Sequence, residues 1–520
     1  MLLSIIAVAF GFDKCGLPAA MESKAPLTAD RLVRQYHYDS EHFRVWFDVI
    51  GINAIPVEDI SPEDGIPDWA QRATDYLEKA RACLVDTLGF PPPIPDSSSF
   101  ADRHDVGGDD RTDVYFEDMG FYGMTYLDTA LADGSGPAFI TIENDFEQAS
   151  FHDYIGREEE ALAVTCAHEF FHAIHYTYGS EGYLVWWMEA TAVWSEERNF
   201  PAVNDYLGYL AAFQSSPEKG LNSNSPSGRF YGSCLFPIFL TANFGDATIL
   251  DIWNRVPERS PFEAISLWAD SLGRETLDIF GDFARWNLFV GDNYRGFGYT
   301  DAAKMPEPKI TPRDSIPSIL TEAGGMIYID IDAPESGGLW AEYIPNDPIS
   351  AILHAVSVSG TDTPDSSVYI YDTENTIPGA WRFDGIYCAL ANLGPDPYSS
   401  AGIGRLLTGP APSADVDIPE DAVDLAPYPN PFIYGEHDTL YFPFTANEDS
   451  PVEFSVWTAD GALVYEYGGE IGFGYHKTTG GAFAWIPQNR SGMTLASGIY
   501  VYRLSLENKS HVGKFALINR

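Results

Sequence analysis

Cysteine is scarce, with five in 520 residues at Cys15, Cys83, Cys166, Cys234 and Cys388. No C-x-x-C pair occurs, so neither a cysteine zinc cluster nor a thioredoxin-type redox site is supported. The odd count excludes complete pairing within the chain, and the wide spacing favours mostly buried thiols over one or two disulfides of an oxidising compartment. Basic residues are also few: 30 Lys plus Arg stand against 76 Asp plus Glu, a formal net charge of −46. Phosphate backbones and anionic membranes repel such a chain, which argues against nucleic-acid binding. Long apolar runs are missing as well. MLLSIIAVAF, residues 1–10, is too short to span a bilayer. It reads as the apolar part of a truncated signal peptide over residues 1–12, although no Lys or Arg precedes it; a buried first strand is the other reading. No other segment is apolar enough to insert into a membrane, and neither a repeat array nor a long low-complexity tract is present.

What remains is ample for folding. Hydrophobic residues make up 45% and aromatics 14%, which excludes a wholly disordered chain, and the length suggests about three domains. From about residue 40 to 315 strand and helix patterns mix. HFRVWFDV (His42 to Val49) alternates as a strand does. Residues 69–88 carry Trp69, Ala73, Leu77, Ala80 and Leu84 at helical spacing and stop at Gly89 before three prolines. TDVYFED (Thr112 to Asp118) and GPAFITIEN (Gly136 to Asn144) read as strands. Residues 158–179, EEEALAVTCAHEFFHAIHYTYG, open on three acids and close on Gly179, as a helix dipole and cap prefer. Further helical patterns fall at about 187–198, 203–214, 232–242, 247–255 and 275–290. From about 318 the texture changes to short β-rich runs parted by Gly, Pro, Asp and Ser, the spacing of a β-sandwich. Residues 409–426 are acidic and proline-rich and read as a linker.

The sharpest chemical signal is His168-Glu169-Phe170-Phe171-His172, inside the strongest helix pattern. Histidines at i and i+4 share one helix face, so both imidazoles can reach one zinc ion. Glu169 projects from the same turn and can take a proton from an attacking water and pass it to the leaving amine. Zinc would lower the water's pKa toward about 7 and polarise the scissile carbonyl. Satisfied polar histidines on a packed helix are the bland reading of the same five residues. A candidate third ligand, Glu189, follows 17 positions after His172 in WWMEATAVWSEE, room enough for a turn and an antiparallel helix, and Ala190 and Ala192 permit close approach. His175, at i+3 from His172, competes for that role, though a third ligand from one helix strains tetrahedral geometry. Glu196 or Glu197 could orient a ligand histidine, or could simply be solvated.

HEFFH followed by W-x-E-A-x-A-x-W resembles the gluzincin, thermolysin-like branch of zinc metallopeptidases, and more closely large secreted bacterial proteins that carry this core. The resemblance covers roughly residues 40–315, most specifically 160–198. It implies zinc ligands His168, His172 and Glu189, with Glu169 as general base. The metzincin branch would want Gly and His where this chain has His175 and Tyr178. Gluzincins often place a Tyr or His from a later helix at the developing oxyanion, which makes Tyr231 the candidate here; a packing aromatic is the competing reading. The family also binds extended peptides along an edge strand before the zinc helix, for which Phe139 to Asn144 is the candidate by chain order.

The tail carries Tyr428-Pro429-Asn430-Pro431-Phe432, a Trp485 strand and Ala-Ser-Gly-Ile-Tyr-Val-Tyr-Arg at 496–503. It resembles immunoglobulin-like C-terminal domains of secreted bacterial proteins, similar to type IX secretion sorting domains. Two acidic stretches, Glu58 to Asp68 and Gly107 to Asp113, read first as acidic loops and second as calcium sites.

The expectation is therefore an α+β zincin-like catalytic domain (13–317) followed by two all-β sandwich domains (318–408 and 427–520). Its expected activity is that of a secreted or surface-anchored monomer acting on protein or peptide substrates as a zinc endopeptidase. The alternatives are a surface adhesion or scaffold protein with an inactive core, and a zinc hydrolase of a non-peptide amide. Residues 13–40 leave room for a latency segment, where Cys15 reads first as a disulfide partner or free thiol and second as a thiolate cap on zinc.

Overall fold

The computed structural model describes residues 14–22, 31–95, 109–294 and most of 296–312, then strands and short adjoining stretches as far as residue 519. Two compact units result: Met1–Lys309 with Thr321–Met326 and Asn392–Ser400, and Ile310–Leu320 with Ile327–Ala391 and Ala401–Arg520. The expected boundary at 317/318 lies outside the described residues. The expected leader, residues 1–12, lies outside the described residues, as does the linker beyond Pro410; the strand Gly402–Pro410 takes in that linker's first two residues.

The first unit is built on one sheet. Alternation in residues 43–47 produces β2 (Phe43–Phe47), with Phe43, Val45 and Phe47 buried and the residues between them only partly so. With β1 (Tyr36–Asp39), β3 (Thr112–Glu117), β4 (Gly123–Leu127) and β5 (Ala138–Glu143) it forms the order β1-β2-β3-β5-β4. β2, β3 and β5 run parallel, while β1 and β4 pair antiparallel with their neighbours. β5 is buried along its whole length, the signature of an interior strand. This corrects the expectation that Phe139 to Asn144 forms the peptide-binding edge: β5 is interior and β4 is the edge. Chain order misled because β4 pairs with β5, the strand that follows it, and not with β3, the strand before it.

The helices are α1 (Leu17–Glu22), α2 (Asp68–Arg81), α3 (Glu158–His175), α4 (Val185–Asn199), α5 (Leu210–Gln214), α6 (Arg229–Gly232), α7 (Leu235–Phe244), α8 (Ala247–Trp253), α9 (Pro261–Ser271) and α10 (Thr276–Leu288). α2 buries Trp69, Ala73, Leu77 and Ala80 on one face. The pattern expected to stay α-helical to residue 88 widens into a π-type turn at Ala82–Thr87 before Gly89, whose φ is +84°. α9 was not anticipated, although Ser260 and Glu263 form a capping box at its start. Every residue of α3 from Ala161 to His175 is buried. It packs on β4, β5, α2 and α4, so it is a central helix covered on all sides. Burying Phe170 and Phe171 within it contributes about 2–3 kcal/mol each. Among the described residues no single helix is long and apolar enough to cross a membrane.

Among its described residues the second unit holds strands and no helix. One sheet joins Ser366–Ile370, Ile349–Val356, Gly385–Asn392, Met326–Ile331 and Ile310–Pro312; another joins Asn375–Ile377, Leu339–Pro345, Gly402–Pro410 and Ile319–Thr321. Nearer the C-terminus, Phe432–Ile433, Lys509–Ile518, Gly498–Leu506, Ser450–Thr458 and Leu463–Ile471 form a five-stranded sheet. Phe454, Tyr502 and Phe515 of this sheet share one core with Phe442 and Trp485 of the strand pair Leu440–Pro443 and Ala482–Trp485. Asn430 in the Pro-Asn-Pro stretch accepts from Ala516 N at 3.0 Å, tying the start of this region to its last strand.

Candidate metal centre

α3 and α4 meet closely because Ala167 faces α4 and Ala190 and Ala192 are small; Ser195 Oγ of α4 donates to Ala167 O at 3.2 Å. That approach brings His168, His172 and Glu189 to one point, all fully buried. The two Nε2 atoms stand 3.0 Å apart. Glu189 Oε2 lies 3.3 Å from His168 Nε2, and Glu189 Oε1 lies 3.5 Å from His172 Nε2. Neither carboxylate oxygen has a hydrogen-bond partner. Donor atoms about 2.0–2.1 Å from a tetrahedral zinc lie about 3.3 Å from one another. The three measured separations are of that size, and the orphaned carboxylate would otherwise be costly in a dry interior. The residues present therefore fit a zinc ion. Cys15 joins them: its Sγ and one donor atom from each of His168, His172 and Glu189 all lie within 4.8 Å of one another.

Each imidazole is oriented from behind. His168 Nδ1 donates to Glu196 Oε1 at 2.7 Å, which turns Nε2 toward His172 and Glu189 as the nitrogen that would present a lone pair to a metal. His172 Nδ1 faces His175 Nδ1 at 3.2 Å, and His175 Nε2 faces Thr191 Oγ1 at 3.1 Å. Thr191 donates its own proton to Trp187 O at 2.7 Å. The chain is consistent in one sense only: His172 donates to a neutral His175, and His175 donates to Thr191. His175 stacks on Trp253 with centroids 4.5 Å apart, and burial, then the two neighbouring imidazoles, hold its pKa well below the ordinary histidine value. It is thus placed behind His172 and not beside it, which removes it as a third ligand. Burial alone would lower His168, but Glu189 and Glu196 outweigh it and carry its pKa to about 9. Burial would raise Glu189, but His172 and His168 bring it down to about 2. Glu197, the other candidate for the orienting role, lies outside this cluster, and burial, then Asp301, push it up to about 8.

Glu169 lies against β4. Thr125 Oγ1 of β4 stands 2.7 Å from Glu169 Oε2 and 2.9 Å from Glu169 O, so the edge strand holds the carboxylate. Gly123 passes so close that a Cβ there would lie 2.7 Å from Glu169 Cγ. Tyr231, at the end of α6, is buried with its ring 6.4 Å from His168. Its hydroxyl accepts from Cys15 N at 3.0 Å and donates to Cys15 O at 3.2 Å. Burial, then Glu169 and Glu189, push the Cys15 thiol well above its ordinary value. Reading the sequence missed Thr125, Gly123 and the part played by His175. β4 was not recognised as a strand, and only the tertiary pairing makes its residues neighbours of α3.

The acidic loops use their carboxylates locally. Asp59 accepts from Asp64 N and Gly65 N, and Asp68 from Ile60 N and Ser61 N. Asp109 pairs with Arg111 and Arg44, while Asp113 pairs with Arg31 and accepts from Trp46 Nε1. Calcium in these loops stays an expectation of the sequence. The four described cysteines, Cys15, Cys83, Cys166 and Cys234, are free thiols.

No protein-family model and no curated protein matches the chain. Among solved structures, similarity is found to PorZ, a surface component of the type-IX secretion system of Porphyromonas gingivalis, at 20% identity over 21% of this chain and 13% of that one, with a TM-score of 0.15. Dimeric latent PorU of the same organism gives 10% identity over 40% and 21% of the two chains, with a TM-score of 0.14. A β-glucuronidase of Parabacteroides merdae gives 10% identity over 38% and 27%, with a TM-score of 0.12. The chain therefore spans at most about a quarter of these proteins' lengths, and likeness at this level carries no argument about fold or activity.

Proposed function

We propose that the chain is a zinc-dependent endopeptidase whose zinc is held by His168, His172 and Glu189. The observation that carries this reading is the trio of buried donors at tetrahedral spacing, with Glu189 lacking any hydrogen-bond partner. When bound, zinc supplies Lewis acidity, lowering the pKa of water and polarising a carbonyl. The chain's own groups do the rest. Glu169, held through Oε2 by Thr125, accepts a proton from the attacking water and delivers it to the leaving amine nitrogen. Tyr231 supplies a hydroxyl donor for the carbonyl oxygen as charge develops there; its present bond to the Cys15 carbonyl is the kind of contact that role requires. An extended peptide would lie along β4, the sheet edge next to Glu169, with main-chain bonds to strand groups. Glu196 and His175 keep the two imidazoles in the tautomers that expose Nε2. Under this reading the first unit is the zincin-like domain, and the strands that follow form the two sandwiches, the last serving export or surface attachment.

The test is metal analysis of the purified full chain beside Glu189→Ala, with peptide hydrolysis assayed before and after limited proteolysis and with a chelator. One zinc per wild-type chain, loss of zinc in Glu189→Ala, and hydrolysis that is abolished by chelation are expected. Glu169→Gln should keep the zinc and lose turnover. Zinc retained in full by Glu189→Ala would refute the ligand set.

A further inference from the structure

Residues 14–16 lie along the edge that a substrate would need. Tyr122 N donates to Lys14 O at 2.9 Å, and Gly16 N donates to Gly123 O at 3.0 Å, so Cys15 bridges in parallel to Gly123 of β4. The peptide on either side of Cys15 is engaged by the Tyr231 hydroxyl, and the sulfur joins the three ligand atoms. Both ends of this short strap are fixed. The Lys14 ammonium, only 1% exposed, pairs with Glu196 and Asp205 and sits over the rings of Tyr122 and Tyr209 at 5.5 and 5.3 Å. Gly16 fits because it has no side chain: a Cβ there would lie 2.6 Å from Met124 Sδ and 2.9 Å from the Phe121 ring.

Building on the zinc reading above, we propose that Cys15 is a fourth, inhibitory ligand and that Lys14–Gly16 is a substrate-like strap that keeps this enzyme latent. The donor set argues for it. Two imidazole nitrogens, one carboxylate oxygen and one thiolate complete four-coordination, whereas a catalytic zinc must keep one position open. The fully buried Glu189 carboxylate, which has no hydrogen-bond partner, is a further sign that a cation belongs between these groups. The strap also uses two backbone groups at the head of β4, Tyr122 N just before it and Gly123 O at its first residue, that an extended peptide would use, and it holds its own carbonyl on the hydroxyl assigned to the substrate carbonyl. On metal loading the Cys15 S–H bond breaks, its proton goes to solvent, and a sulfur–metal bond forms. On activation the Cys15 sulfur would leave the metal and regain a proton from solvent, which would open the fourth position that a catalytic zinc needs. Release requires only that the strap leave the edge, by displacement or by cleavage of the chain after it.

The experiment loads the metal-free full-length protein with Co2+ and records absorption. The wild type should bind one cobalt and display a thiolate-to-cobalt charge-transfer band in the near ultraviolet. Cys15→Ala should bind one cobalt without the band. Gly16→Val, which keeps the thiol but cannot seat the strap, should lose the band as well. Zinc-loaded Cys15→Ala and Gly16→Val should hydrolyse an unstructured peptide at least tenfold faster than the wild type. Stoichiometric cobalt without the band in the wild type would overturn the fourth ligand and leave the three-ligand site standing. Absence of cobalt binding altogether would overturn the zinc reading itself. A band that disappears in both variants with no gain in hydrolysis would overturn the latency.

Discussion

Gly123 is a position where the sheet edge and the proposed base compete for the same space, and its replacement by alanine gives a worked test of the site. A Cβ built there lies 2.7 Å from Glu169 Cγ and 3.0 Å from Glu169 Cδ and Oε1, whereas ordinary contact begins at 3.4 Å. Glu169 must therefore retreat by about 0.7 Å, the difference between 3.4 and 2.7 Å. It cannot retreat freely. α3 is packed on all sides, and Thr125 Oγ1 lies 2.7 Å from its carboxylate and 2.9 Å from its main-chain carbonyl. A displacement near 1 Å from reactive geometry costs about 10²-fold in rate, so Gly123→Ala should lower kcat by about 30–100-fold, or about 2–3 kcal/mol in the barrier. Overpacking adds a stability cost of about 1–3 kcal/mol. The ligands His168, His172 and Glu189 are not touched, so bound zinc should be unchanged.

The assay is peptide hydrolysis with zinc analysis and thermal unfolding on each protein, carried out in the Cys15→Ala background so that the strap does not mask the rate. Gly208→Ala is the matched control, because a Cβ at Gly208 meets nothing within 4 Å. If Gly123→Ala turns over at the control rate with its full zinc, Glu169 does not act from the position described. If zinc is lost together with activity, the argument from the base alone is also wrong.

Glu196→Gln removes the carboxylate charge 2.7 Å from His168 Nδ1 and should weaken zinc binding by about 10–100-fold, read by competition with a chromophoric chelator; equal affinity in Glu196→Gln and Glu197→Gln would refute the orienting role. Glu143 is fully buried on β5, and burial, with Asp145 and Asp118 adding to it, raises its pKa to about 8 although Met119 N bonds to it. The folded-state pKa lies above the unfolded value, so the group's contribution is fully present below pH about 4.5 and is lost as pH rises through about 8. Glu143→Gln should therefore flatten the decline of wild-type stability between pH about 5 and 8, a difference of a few kcal/mol in denaturant titrations; parallel curves for the two proteins would show that this carboxyl does not set the dependence.

The parts of the candidate site that could be read from the sequence are those set by local periodicity. His168 and His172 share a face because a helix repeats every 3.6 residues, and Glu189 follows within one turn and one helix. Glu196 reaches His168 because it lies two turns beyond Glu189 on the same helix, α4. The edge that borders Glu169 is of another kind. Which strand closes the sheet depends on β4 pairing backward onto β5, and nothing in residues 123–127 announces it: Gly123 at their head weakens the strand signal, and Phe139 to Asn144 carry the stronger β pattern. The environment of Cys15 was still further from view, since it depends on a segment near the start of the chain meeting β4, α4 and α6. His175 shows why residue type and spacing were insufficient even within α3. It has the right chemistry and lies one turn from His172, yet its Nδ1 meets the back of that imidazole and its Nε2 meets Thr191. A ligand and the residue that orients it can thus occupy adjacent turns of one helix, and the partner on the far side of the ring decides which is which.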